Sequence, residues 1–180
     1  RPPKLASKEA LGEDVFVHGY YEIKRILKEQ GFDIEFVVLL FANGATLNGE
    51  LIDKGVAILR QDESFDSAVT TSVYNMWSPL RARKLRKDGC LHPMIPFETF
   101  GDPDTLNCDR DSQGDVHFAD MSVSVVRPQC LENLAEGLLP QKWMGQRIAP
   151  ILNWGGCDVD YEWQVPMVEF WLRKHGIQKT

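Results

Sequence analysis

Apolar residues recur at Phe16, Tyr20, Ile23 and Leu27, a spacing that lines one face of a 3.6-residue period. Lys24, Arg25, Lys28 and Glu29 lie off that stripe, so the pattern predicts a helix over residues 13–30. Gly31 follows where a left-handed C-terminal cap is wanted. Residues 36–42 (Phe-Val-Val-Leu-Leu-Phe-Ala) are apolar without alternation. Such continuity predicts a central parallel strand with both faces covered, and therefore a neighbour on each edge. The run ends in Asn43-Gly44, a turn at the C-terminal end of a strand, where open α/β sheets bind ligands. Asn43 is thus a candidate substrate contact.

A second helix is expected over residues 49–60, with Asn48 as N-cap, Glu50 in the first turn and Ile52, Val56 and Leu59 as its buried stripe. Val69, Thr71 and Val73 alternate with Ala68, Thr70 and Ser72, which predicts a strand over residues 66–74. Helix, strand, helix, strand with short loops implies βαβ crossovers and a mainly parallel sheet. Asn75-Met76-Trp77 follows a strand end, a position that can line a pocket.

From residue 75 to 115 the pattern loosens, and short antiparallel strands are expected there, around residues 91–97. Strand character returns over 117–127. Pro128 opens a helix to about Gly137, residues 148–152 form a short strand, and a last helix runs over 162–175 with Pro166 early in it and Gly176 at its end. No repeat or linker divides the chain, so a single domain over residues 1–180 is expected. The expected fold class is α/β, with a small antiparallel insertion around residues 75–127.

Composition narrows the class. Hydrophobic residues are 43% and charged residues 26% of 180, which excludes disordered, collagen-like and low-complexity chains. The apolar run at 36–42 is too short to cross a bilayer, and no signal-peptide pattern opens the chain. A cytoplasmic protein without a membrane partner is expected. The net charge of −6 disfavours nucleic acid as a partner. The chain opens on Arg-Pro-Pro-Lys, without Met and without a preceding strand.

Cysteines 90, 108, 130 and 157 form no Cys-x-x-Cys and are expected to be reduced and structural. Histidines 18, 92, 117 and 175 are scattered and read as structural, His175 standing near a helix end where it can cap carbonyls. The sharpest polar motif is Asp158-Val159-Asp160, after a Gly-Gly pair. Two carboxylates one residue apart on extended backbone point the same way and can share a hard cation. The alternative makes Asp160 the N-cap of the last helix and Asp158 a loop residue. Arg110, between Asp109 and Asp111, either joins a solvated salt-bridge loop or grips a substrate carboxylate with its guanidinium fork. The basic cluster Arg81, Arg83, Lys84, Arg86 and Lys87 lacks interleaved aromatics and reads as a solvated face or the rim of an acidic-ligand site. Trp143, Met144, Trp163 and Trp171 read first as packing residues. Glycine-rich phosphate loops and the Gly-x-Ser-x-Gly nucleophile elbow are absent, which disfavours Rossmann dehydrogenases, P-loop NTPases and serine hydrolases.

Taken in order, RPPKLASKEALGEDVFVHGYYEI, VVLLFANGATLNGELIDKG, DSAVTTSV, NCDRDSQGDVHFADMSVSVVRP and GCDVDYEWQVPMVEFWLRKHG span nearly the whole chain. Together they resemble the cytidylyltransferases that activate acidic sugars, the CMP-sialic acid synthetase group. That resemblance implies a three-layer α/β sandwich of the nucleotide-diphosphosugar-transferase type, a homodimer, and transfer of CMP from CTP to a sugar acid with release of pyrophosphate and a need for Mg²⁺. By the same resemblance Asp158 and Asp160 match the catalytic, metal-binding acidic pair. Arg110 matches the Arg that grips the sugar carboxylate, and Arg81 falls on a substrate-facing Lys. Trp143 and Met144 fall where aromatics shape the sugar pocket. Arg1, Ala10 and Gly12 fall on the cytosine-binding stretch.

The chain departs from the pattern in three places. The family's first strand and phosphate loop would lie before Arg1. Phe41 and Leu47 stand where the family has a substrate-contacting Gln and an Arg, which implies a divergent branch, and Ser124 stands where it often has Tyr. The competing expectations are another nucleotidyltransferase, an Asp-x-Asp glycosyltransferase on a related fold, and a non-catalytic remnant of this fold.

Overall fold

The structure, a computed structural model, describes residues 2–109 and 114–177. The chain divides into two compact units. One comprises residues 1–71 and 119–180, and the other residues 72–118.

In the first unit, helix α1 (Gly12–Glu29) turns Phe16, Val17 and Tyr20 inward, and Tyr20 is buried. Gly31 ends it at φ +80°, with its N–H on the Lys28 carbonyl and the Phe32 N–H on that of Leu27. This is the left-handed cap that the glycine predicts. Ile23, expected on the buried stripe, is 55% exposed. Strand β1 (Val37–Leu39) follows, then α2 (Gly49–Gln61), whose first turn is capped by Asn48 Oδ1 accepting the Leu51 N–H at 3.0 Å. Strand β2 (Ser67–Val73) leads out to the second unit, and the chain returns along β5 (His117–Val126). Helix α3 (Pro128–Glu132), strand β6 (Ile148–Leu152) and helix α4 (Val165–Lys174) complete the first unit. Both α3 and α4 are shorter than their patterns predict, each adjoining a single 3₁₀ turn, at Leu134–Glu136 and Glu162–Gln164.

The four-stranded sheet has the order β1-β5-β2-β6. It is mixed: β1 runs antiparallel to β5, and β2 parallel to β6 with Ser67 opposite Ile148. This corrects the expectation that residues 36–42 form a central parallel strand in a mainly parallel sheet. Only residues 37–39 are strand, and β1 is an edge among the described strands, with Val38 38% and Leu40 47% exposed. The interior places belong to β2 and β5, whose sequences are rich in Ser and Thr. Two of their buried hydroxyls are satisfied by backbone groups, whereas Thr71 Oγ1 has no hydrogen-bond partner among the described residues. Thr70 Oγ1 takes the Val123 N–H at 2.9 Å, and Ser67 Oγ donates to the Met144 carbonyl at 2.5 Å. A continuous run of large apolar residues therefore did not mark the middle of this sheet.

Neighbouring residues on these strands enter opposite core clusters. Val69 and Val126 pack with Tyr20, Leu39, Leu131, Trp143 and Met144, while Ala68 and Val125 pack with Leu51, Leu59, Ile151 and Trp171. Both faces of β2 and β5 are thus covered, as the two-residue period of a strand requires.

In the second unit, β3 (Arg83–Leu85) and β4 (Leu91–Pro93) form an antiparallel hairpin, with Lys84 opposite His92. Antiparallel strands near residue 91 were expected; β3 itself comes from the basic cluster. All four cysteines are free: Cys130 and Cys157 are buried, whereas Cys90 and Cys108 are exposed. His175 Nδ1 lies 2.9 Å from the Trp171 carbonyl near the end of α4, and its ring stacks on that of Trp171 at 3.8 Å. No helix among the described residues is long and apolar enough to cross a membrane.

Candidate functional site

Three stretches distant in sequence meet in the first unit: residues 43–46 after β1, residues 120–122 within β5, and residues 153–160 after β6. Asn153 anchors the last of these. Its N–H donates to the Thr71 carbonyl at 2.9 Å, and its Nδ2 donates to the Thr46 carbonyl at 3.2 Å and to Asp120 Oδ2 at 3.0 Å. Gly156 then passes against the same carboxylate so closely that a β-carbon there would lie 2.1 Å from Asp120 Oδ2. One residue on, the Cys157 N–H donates to Thr46 Oγ1 at 3.0 Å, and that hydroxyl lies 2.7 Å from Ser122 Oγ. Thr46 and Ser122 are fully buried, so these hydroxyls satisfy one another in place of water.

Two further bonds place the acidic motif. The Val159 N–H donates to the Asn43 carbonyl at 2.9 Å, and Asn43 Nδ2 donates to Asp160 Oδ1 at 3.2 Å. The helix-capping alternative for Asp160 is not what forms. The acceptor before α4 is Gln164 Oε1, which takes the N–H groups of Asp160 at 2.8 Å and Tyr161 at 2.7 Å. Asp158 is half-buried and Asp160 exposed. The Cys157 thiol is pushed up, first by its own burial and then by the charges of Asp158 and Asp120.

The donors in this loop are carboxylate oxygens, which suit a hard cation. Among the described residues no group of three or more His, Cys, Asp and Glu side chains is placed to hold a metal. Asp158 and Asp160 nevertheless fit Mg²⁺, which commonly binds through one or two carboxylates and takes its other ligands from water and substrate phosphates.

The remaining candidates fall elsewhere. Asn75 and Arg81 belong to the second unit. Asn75 accepts the Val116 N–H at 2.9 Å and donates to Asp115 at 3.3 Å, and Arg81 donates to the Cys108 carbonyl at 2.8 Å. Trp143 and Met144 are 6% and 4% exposed and pack in the core, with Trp143 edge-on to Phe16 at 5.3 Å. Ala10 lines an open cleft of about 1070 Å³ together with Lys4, Glu9, Asp14, His18, Glu132 and others, and Gly12 begins α1. This cleft includes none of Asn43, Asp158 or Asp160. Arg1 and Arg110 lie outside the described residues.

Asp120, Asn153 and Thr46 do not stand out as a motif in the sequence. A usable signal was present in Asp120, a charged residue inside a strand pattern, because such a group survives burial only when its oxygens are bonded. No protein-family model matches the chain, and no curated protein matches it.

Proposed function

We propose that the protein is a cytidylyltransferase that transfers CMP from CTP to an acidic sugar and releases pyrophosphate. The observation that carries this reading is the pairing of Asn43 with the Asp158-Val159-Asp160 loop. Asn43 contacts Val159 at 2.9 Å and Asp160 at 3.2 Å. The two sequence stretches that resemble the family's substrate-contacting turn and its metal-binding pair thereby become neighbours, although they are 117 positions apart. The reading carries with it the fold of that family, a three-layer sandwich, and a homodimer.

In this reading Asp158 and Asp160 hold Mg²⁺. Bound there, the ion supplies Lewis-acid stabilisation of charge on phosphoryl oxygens. Asn43 restrains one oxygen of Asp160 and leaves Asp158 to face the ligand. Phe41 and Leu47, in place of the Gln and Arg of the resembling family, point to a divergent branch whose acceptor is sialic acid-like or a related sugar acid. By the same resemblance the start of the chain is assigned to the cytosine.

The test is pyrophosphate release by the intact protein, supplied with CTP, Mg²⁺ and a panel of sugar acids. Release that requires both CTP and one acid, and that Asp158→Ala abolishes without loss of fold, supports the reading. Asp-x-Asp glycosyl transfer gives no pyrophosphate from CTP, so release-free turnover of a nucleotide sugar would replace it. Wild-type turnover in Asp158→Ala would remove the metal assignment.

A further inference from the structure

We propose that Asp120 is the positioning residue of the acidic loop, holding the backbone that presents Asp158 and Asp160 while touching no ligand itself. This rests on the reading of Asp158 and Asp160 as metal ligands.

Asp120 is 5% exposed in β5, on an interior strand of the sheet. A carboxylate so placed is costly unless its oxygens are bonded. Oδ1 accepts the Ser122 N–H at 3.1 Å, spanning Met121, which the backbone holds at φ +60°. Oδ2 reaches to the other segment, accepting Asn153 Nδ2 at 3.0 Å and lying against Gly156. Both oxygens therefore face donors. A carboxylate satisfies this arrangement because it accepts on both sides, whereas an amide of the same shape places its NH₂ against either the Ser122 N–H or the Asn153 NH₂. Gly156 lies two residues before Asp158, so what the carboxylate grips on one side sets where the ligand oxygens stand on the other. Asn153 continues the restraint through the Thr46 carbonyl at 3.2 Å, and Asn43 closes it at Asp160. Asp120 thus stands to Asp158 and Asp160 as an outer-shell group stands to metal ligands.

The experiment titrates the full chain with Mn²⁺ alone, followed by the loss of the free-ion paramagnetic resonance signal, and records the thermal midpoint of each variant. Asp120→Asn is expected to weaken Mn²⁺ binding by about tenfold or more, with the fold retained. Asp120→Asn combined with Asn153→Asp restores a donor–acceptor match between the two side chains and is expected to recover part of that affinity. Wild-type affinity in Asp120→Asn, or recovery of the thermal midpoint without recovery of affinity in the double variant, overturns the proposal. Should Asp120→Asn fail to fold, Asn153→Ala cuts the link from the other side, and wild-type affinity there overturns it equally. Asp158→Asn separates the two layers of inference. Unchanged Mn²⁺ binding in that variant, or no binding by the wild type, removes the metal reading and this proposal with it. Loss in Asp158→Asn alongside unchanged binding in Asp120→Asn removes this proposal and leaves the metal reading standing.

Discussion

A β-carbon on Gly55 would fall 2.6 Å from Cγ2 of Val125, and 2.7 Å from Cδ1 of Ile151. The second turn of α2 therefore rests directly on β5 and β6, with glycine at the point of closest approach. Alanine normally stabilises a helix interior by ~1 kcal/mol relative to glycine. Here the added methyl must displace two core side chains, a kind of overpacking that costs ~1–3 kcal/mol. Gly55→Ala is expected to destabilise the protein, and urea unfolding reads the sign directly. A gain in stability would show that α2 can lift off the sheet.

The pH dependence of stability has a local test at Glu132. Hydrogen bonds from Lys24 and then Tyr20 hold its carboxyl below the ordinary value of 4.5. A depressed folded-state value gives stability that is complete above the unfolded value and is lost as pH falls through the folded one. Glu35 and Asp62 are lowered in the same direction, by Arg60 and by Ser64. The informative quantity is therefore the difference between wild type and Glu132→Gln. The thermal midpoint of the wild type should fall more steeply below about pH 5. The difference should be small, because Lys24 and Glu132 are 45% and 33% exposed and water screens the pair. Parallel curves would show that the contact does not persist in solution.

Thiol reactivity should split the cysteines into two pairs. Cys130 is pushed up to about 11, chiefly by burial and then by Asp66, and Cys157 is raised by burial and by Asp158 and Asp120. The thiolate is the reactive form, so both should resist alkylation in the native state at pH 8. The exposed Cys90 and Cys108 should label quickly. Peptide mapping after a brief iodoacetamide pulse distinguishes them. Fast labelling of Cys157 would mean that the loop over residues 153–160 opens readily.

Strand β1 offers a test of edge behaviour. Val38 and Leu40 are 38% and 47% exposed beside an open apolar groove lined by Phe16, Ile23, Leu27 and Phe36. An exposed apolar edge is a template for self-association, which a lysine there blunts. Val38→Lys should leave the fold intact and lower light scattering at high protein concentration. Unfolding caused by this substitution would show that Val38 is more deeply packed than its exposure indicates.

The legible parts of the fold were those whose signal is local. Helix α1 and its Gly31 cap, the Asn48 cap of α2, and β6 at residues 148–152 follow from spacing and end chemistry that a short window contains. The place of β1 was not legible, because seven successive apolar residues read alike whether they fill a sheet centre or line a groove at its edge. Nor was the interior role of β2 and β5. Ser67, Thr70 and Ser122 look half-polar in a list of residues and become core only when hydrogen bonds cancel their polarity.

For the candidate site the division runs along the same line. The sequence alone determined which groups are available: the Asp158–Asp160 pair, the Asn43 turn, and a glycine pair ahead of the acids. It also determined that carboxylates one residue apart suit a hard cation, since that follows from backbone period and oxygen chemistry. Only the tertiary structure decided that Asn43 bonds Asp160 in place of a helix cap, that Trp143 and Met144 are core, and that Asp120 grips the loop from a strand 33 residues earlier than Asn153. The physical reason is that a hydrogen bond between distant segments depends on how strands are ordered in the sheet, and that order is set by the joint burial of every segment, which no local window records.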